Sequence, residues 1–169
     1  MGIPYFELSE KYRPKKIETL LVAEGPPPSG KRYFYLPNKM NPSRDIRHYR
    51  SLPATIFYHY FKTIPSSIED YELFLLRLKE RNIFLIDILD EPLKIRDRSS
   101  PNGINKKNYD ILISKIPKLK DKINGRGISI PEDRIIFLLA RASYKRELMK
   151  VFPNSQFVRW IDFRLSYSK

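Results

Sequence analysis

Three stretches of this chain are apolar at nearly every position over the length of a strand: Ile17 to Ala23, Asn82 to Leu89 and Arg134 to Ala140. The first is bounded by Pro14 and Pro26, and the second ends in Asp87, Asp90 and Glu91 before Pro92 stops it. Between them the apolar spacing turns helical. Pro53 opens a helix through ATIFYHYFK, with Ile56, Phe57, Tyr60 and Phe61 among its apolar positions. A second helix takes Ser66 or Ser67 as its cap and Glu69 and Asp70 in its first turn, with Leu73, Leu76 and Leu78 as its apolar side. Residues 106 to 123 predict a helix broken near Pro117, and Ser143 to Lys150 a short basic helix.

Phe152-Pro153-Asn154-Ser155 is a turn, and QFVRWIDFRL after it fits a helix or, by alternation, a strand. A helix is expected. Residues 1 to 16 are a polar lead-in, and 25 to 50, rich in proline, glycine and basic residues, form a long loop. Strands apolar on both faces that alternate with helices predict an α/β fold. A single domain over residues 1 to 169 is expected, a three-layer α/β/α sandwich with a short central parallel sheet and the first strand in its middle.

Composition narrows the partner. The chain has 32 Lys and Arg against 19 Asp and Glu, a formal net charge of +13, which favours a polyanion, most commonly nucleic acid. A lysine-rich solvated surface is the alternative. From Gly25 to Lys62 seven cations face one acid, Asp45. Without a cysteine there is no disulfide, zinc–thiolate site, iron–sulfur cluster or thiol nucleophile, and two histidines, His48 and His59, rule out a three-histidine zinc site. No metal or cofactor is expected. Without a run of bilayer length or a signal-peptide pattern, the chain is expected to be soluble and cytoplasmic with no membrane partner, and a monomer is expected.

Candidate chemistry gathers where the first strand ends. Glu24, Gly25, three prolines, Ser29, Gly30, Lys31, Arg32 and Tyr33-Phe34-Tyr35 fall there together, and open α/β sheets bind ligands outside the carboxyl ends of their strands. Gly25 to Lys31 formally fits the P-loop pattern, but Pro26, Pro27 and Pro28 lack the N–H groups that cradle phosphates, and Arg32 replaces the magnesium-binding hydroxyl. The prolines can also be a rigid turn and the aromatics plain core. Glu24 differs, because a carboxylate at the end of a buried strand must be paired, solvated or shifted in pKa. Pairing with Lys31 or Arg32 and a catalytic role both remain open.

Ala23-Glu24-Gly25-Pro26-Pro27 resembles the first motif of the uracil-DNA glycosylase superfamily, Gly-Glu-Ala-Pro-Gly in its iron–sulfur branch. The resemblance implies that Glu24 serves the hydrolytic water and that one of Tyr33, Phe34 or Tyr35 stacks on a flipped base. It implies that Asp87, in LIDILDEP, stands where the family's asparagine reads the base edge. The family's late motif, His-Pro-Ser, is similar to Phe152-Pro153-Asn154-Ser155, which makes Asn154 a further base-binding candidate. Phe152 replaces the late histidine, and the cluster cysteines are absent. An ionised Asp87 cannot donate to O4 of uracil and better suits an exocyclic amino group or a protonated base. Lys31, Arg32, Arg44, Arg47, His48 and Arg50 are the expected nucleic-acid contacts. The implied activity is hydrolysis of the N-glycosidic bond of a damaged or deaminated base in DNA; the alternative is a non-catalytic nucleic-acid binder on the same fold. His59, within FYHYF, is expected to pack on its helix.

Overall fold

Strand β1 (Thr19–Ala23) buries Leu20, Leu21, Val22 and Ala23 in succession, so both of its faces are covered. The computed structural model describes residues 2–27, 33–37, 51–92, 106–140 and 142–165, with the side chains of 106–108 outside the description. Three further strands join β1: β2 (Ile83–Asp87), β3 (Ile135–Leu139) and β4 (Gln156–Arg159). The four are parallel in the order β2-β1-β3-β4.

That order places the helices. Right-handed crossovers from β1 to β2 and from β2 to β3 run in opposite lateral directions, so their helices cover opposite faces. On one face α2 (Leu52–Phe61) packs against a terminal 3₁₀ segment, Trp160–Leu165, and α3 (Ile68–Glu80) lies on β2. The 3₁₀ turn Ile116–Lys118 joins α4 (Lys106–Lys115) to α5 (Leu119–Gly125) and touches α6 (Lys145–Val151), forming the second helical layer. The expected three-layer α/β/α sandwich with β1 inside the sheet is what the chain forms.

Local sequence explains most boundaries. Ser67 Oγ accepts from Asp70 N at 3.0 Å and caps α3, and Ser51 Oγ accepts from Ala54 N at 3.3 Å at the start of α2. The break at Pro117 is the 3₁₀ turn between α4 and α5, where proline lacks the N–H a continuous helix needs.

Three expectations are corrected. Leu73 and Leu76 are exposed, and the buried stripe of α3 is Tyr71, Phe74, Leu75 and Leu78. Residues 156–165 form β4 and a 3₁₀ segment instead of a helix. β3 has a second edge whose N–H and C=O groups need partners, and pairing Ile136 to Leu139 with Gln156 to Arg159 supplies them. Phe157 then stacks on Phe137 at 5.3 Å. Finally, the polar lead-in contains α1 (Tyr5–Lys11). Tyr12, just beyond it, bonds Glu72 of α3 at 3.1 Å, whereas Ser9 and Glu10 of α1 receive Arg126 from the end of α5. The N-terminal segment therefore ties the two helical layers together across the β2 edge.

Candidate functional site at the carboxyl ends of the strands

Glu24 directly follows β1, and Ala23 is in register with Asp87, the last residue of β2. Pairing continues past the strands, since Ile88 N donates to Ala23 O at 2.9 Å and Leu89 N to Glu24 O at 3.0 Å. Two carboxylates therefore end adjacent strands, and Glu24 raises the pKa of Asp87 by its charge. Gly25 lies so close to Leu89 that a Cβ would stand 3.1 Å from the leucine Cβ. That contact is a packing reason for this glycine, independent of any phosphate.

Glu24 also lies at the point where the strand order reverses, between β1 and β3. Tyr144, buried just before α6, donates to Glu24 Oε2 across 3.4 Å and accepts from Ala140 N at 3.0 Å. One phenol thus links the end of β3 to the carboxylate that follows β1. Tyr144 lies in the segment Ser143 to Lys150, whose local pattern predicts only a short basic helix and carries no sign of this contact.

Asp87 opens into a cleft of about 420 Å³ on the other side of the pair. Its walls include Tyr5 and Phe6 of α1, Pro26, Tyr33, and Lys122 and Arg126 from α5 and its end. Tyr5 and Tyr33 meet edge to face, 4.7 Å between centroids. Lys122 Nζ is committed elsewhere: it donates to the carbonyls of Asp87 at 2.6 Å and Ile88 at 3.2 Å and pairs with Asp90 at 2.7 Å. Arg126 pairs with Glu10 at 2.6 Å and donates to Ser9 at 2.9 Å, and its Nε has no partner among the described residues.

No described residue hydrogen-bonds the Asp87 carboxylate. Loss of solvation dominates its titration and pushes its pKa up to about 7, against the opposing pull of Lys122 and Arg126. Burial likewise raises the Tyr33 phenol far above its usual value. Asp87 is therefore an acid poised at neutrality in a partly apolar cleft, the condition under which a carboxyl can act as either donor or acceptor.

The remaining expected site residues divide sharply. Tyr33 lines the cleft, although its ring is 4% exposed and its hydroxyl donates to Tyr5 O at 3.2 Å. Phe34 and Tyr35 are core, correcting the idea that either stacks on a base. Phe34 stacks on Phe57 at 5.7 Å, and Tyr35 stacks on Tyr12 at 5.7 Å with its hydroxyl bonded to β2. An apolar sheet edge and helix face compete for these rings, and burial wins.

Asn154 does not join the site. It precedes β4, so it stands at the amino ends of the strands, about 15 Å from their carboxyl ends at the usual rise per residue. Its N–H donates to Glu132 Oε1 at 3.0 Å. His59 packs as expected, stacked on Phe163 at 4.0 Å with Nδ1 2.9 Å from Phe163 O. Lys31, Arg32, Arg44, Arg47, His48 and Arg50 lie outside the described residues. Tyr5, Lys122 and Arg126 were not anticipated. Only the short apolar run at Tyr5, Phe6 and Leu8 hinted at α1.

Among the described residues no group of His, Cys, Asp and Glu side chains could hold a metal ion, and no helix is long and apolar enough to cross a membrane. Comparison with protein families, characterised proteins and solved structures finds no match to this chain.

Proposed function

We propose that this chain is a DNA-base N-glycosylase, a divergent relative of the uracil-DNA glycosylase superfamily that hydrolyses the bond between a flipped base and its sugar. The observation that carries this reading is the placement of Glu24 and Asp87 at the ends of adjacent parallel strands, with an aromatic-walled cleft beside Asp87. The cleft's volume falls within the range of roughly 300–1,000 Å³ common for small-ligand sites. The excess of cations on the chain suits the phosphate backbone, and a base removed from the stack needs an enclosed pocket.

In this mechanism the C1′–N bond breaks and its electron pair leaves with the base. Glu24, oriented by Tyr144, stabilises the cationic sugar and accepts a proton from the water that adds to C1′. Asp87 meets the polar edge of the base. Tyr33 and Tyr5 wall the cleft, and the Phe152–Ser155 turn takes no part, since it lies at the opposite end of the sheet.

The test is abasic-site formation, read as alkali-sensitive cleavage of oligonucleotides that each carry one modified base. Glu24→Gln should lower base release by about a hundredfold or more and leave DNA affinity nearly intact. Release undiminished in that variant would remove Glu24 from the mechanism.

One observation favours a second reading, a non-catalytic nucleic-acid binder on the same fold. Glu24 is engaged by Tyr144 and does not line the Asp87 cleft. Wild-type protein that binds DNA but releases no base from any substrate would establish that reading.

A further inference from the structure

The charge inside the cleft runs against the charge of the whole molecule. In a chain with a formal net charge of +13, the described residues that line this cleft include four carboxylates, Glu7, Asp87, Asp90 and Glu91, and two cations. Both cations are matched, Lys122 by Asp90 and Arg126 by Glu10, the latter outside the lining. Glu7, Asp87 and Glu91 have no ion-pair partner among the described residues. Among the described residues, the cleft is thus a negative, aromatic-walled recess.

We propose that the Asp87 cleft takes a cationic base, an N-alkylated purine, in preference to a neutral base. The inference rests on the glycosylase reading for its chemistry, but its recognition element stands on the cleft alone. Three features converge. The first is the excess of carboxylates. The second is the half-buried ring of Tyr5 in the cleft wall, held edge to face against the buried Tyr33, since an aromatic ring attracts a delocalised cation. Third, the Asp87 carboxylate, unbonded by any described residue, is positioned to accept from a base edge.

The leaving group decides the matter. When the C1′–N bond of uracil breaks, its electron pair makes the base an anion, and the carboxylates around it raise the cost of that charge. A purine methylated at ring nitrogen N3 or N7 while bound to the sugar already carries one positive charge on its ring. The same electron pair neutralises it, and the base departs uncharged while water adds to C1′ and gives its proton to Glu24. No acid has to protonate the departing base. The chain lacks the family's late histidine, and the turn that aligned with it is at the far end of the sheet, so a substrate that needs no such help fits this site.

The experiment has two arms on the full chain. In the first, duplexes carrying a single 7-methylguanine, uracil or hypoxanthine are assayed for abasic sites. In the second, binding of 1-methyladenosine and adenosine is titrated by intrinsic fluorescence slightly above neutral pH, where the methylated nucleoside is still a cation and Asp87 is ionised. The expected result is an acceleration, each rate divided by its own rate without protein, about tenfold or more greater for 7-methylguanine than for the neutral bases, with tighter binding of the cationic nucleoside. Asp87→Asn and Glu91→Gln should each weaken that preference. Glu91 is exposed, so its variant does not depend on the core tolerating the change.

Release of neutral bases only, or release indifferent to charge, overturns the cationic preference and leaves the glycosylase standing. No release from any duplex, with selective binding of 1-methyladenosine that both variants weaken, keeps the cleft's preference and removes the glycosylase. Absence of both release and selective binding overturns both.

Discussion

The hydroxyl of Tyr35 closes both outward-facing backbone groups of Leu85 on the edge strand β2, accepting from Leu85 N at 2.8 Å and donating to Leu85 O at 3.0 Å. β2 is paired on one side only, by β1, so these groups would otherwise be buried without partners. Tyr35→Phe keeps the ring on Tyr12 and removes both bonds. The expected loss is about 2–6 kcal/mol of stability by urea denaturation, since each of the two orphaned buried groups costs roughly 1–3 kcal/mol. DNA affinity of the folded variant should match wild type. A variant as stable as wild type would show that these bonds contribute nothing.

In the proposed mechanism Tyr144 positions Glu24, to which its hydroxyl donates. Tyr144→Phe should lower base release at saturating DNA by about tenfold and leave the Kd for DNA unchanged, because the phenol touches the carboxylate and not the cleft. The variant also frees Ala140 N, so thermal stability is measured beside it. Equal losses in rate and affinity would mean that the change acts through folding instead.

Asp87 makes stability depend on pH in a definite direction. Its carboxyl titrates near 3.8 without the fold and at about 7 within it. Below the lower value both states hold the proton and its contribution is fully present. Between the two the unfolded chain gives up its proton first, so stability falls as pH rises and the loss is complete once pH passes the folded value. Asp87→Asn should remove this slope and be the more stable protein above neutrality, by on the order of a few kcal/mol. Melting temperatures of both proteins across that range check it. Parallel curves would place the Asp87 pKa near its ordinary value.

Binding to nucleic acid should weaken steeply with salt, as expected for release of counterions from phosphates. Replacing Arg44, Arg47 and Arg50 with glutamate should lower affinity for every sequence and flatten the dependence of log K on log salt by about three. Unchanged slopes would assign those cations to solvated surface.

Apolar runs at Leu20–Ala23, Ile83–Ile86 and Ile135–Leu139 were readable as strands because a buried parallel strand must be apolar on both faces. The helix caps, the Pro117 break and the packed His59 were readable for the same kind of local reason. Glu24 and Asp87 could be placed at one end of the sheet, since parallel strands deliver their final residues to the same side. Only the tertiary structure decided what pairs with a sheet edge. The second edge of β3 drew residues 156–159 into a strand against a helical pattern, and the free edge of β2 took the Tyr35 hydroxyl. It also set the ends of elements apart, so that Asn154, adjacent to a strand in sequence, stands at the opposite pole from Glu24. The cleft itself joins α1, β2 and α5, residues from 3 to 126 along the chain. A pattern read over a dozen residues carries hydrophobic period and capping, whereas a site is made by contacts between segments that no local period links.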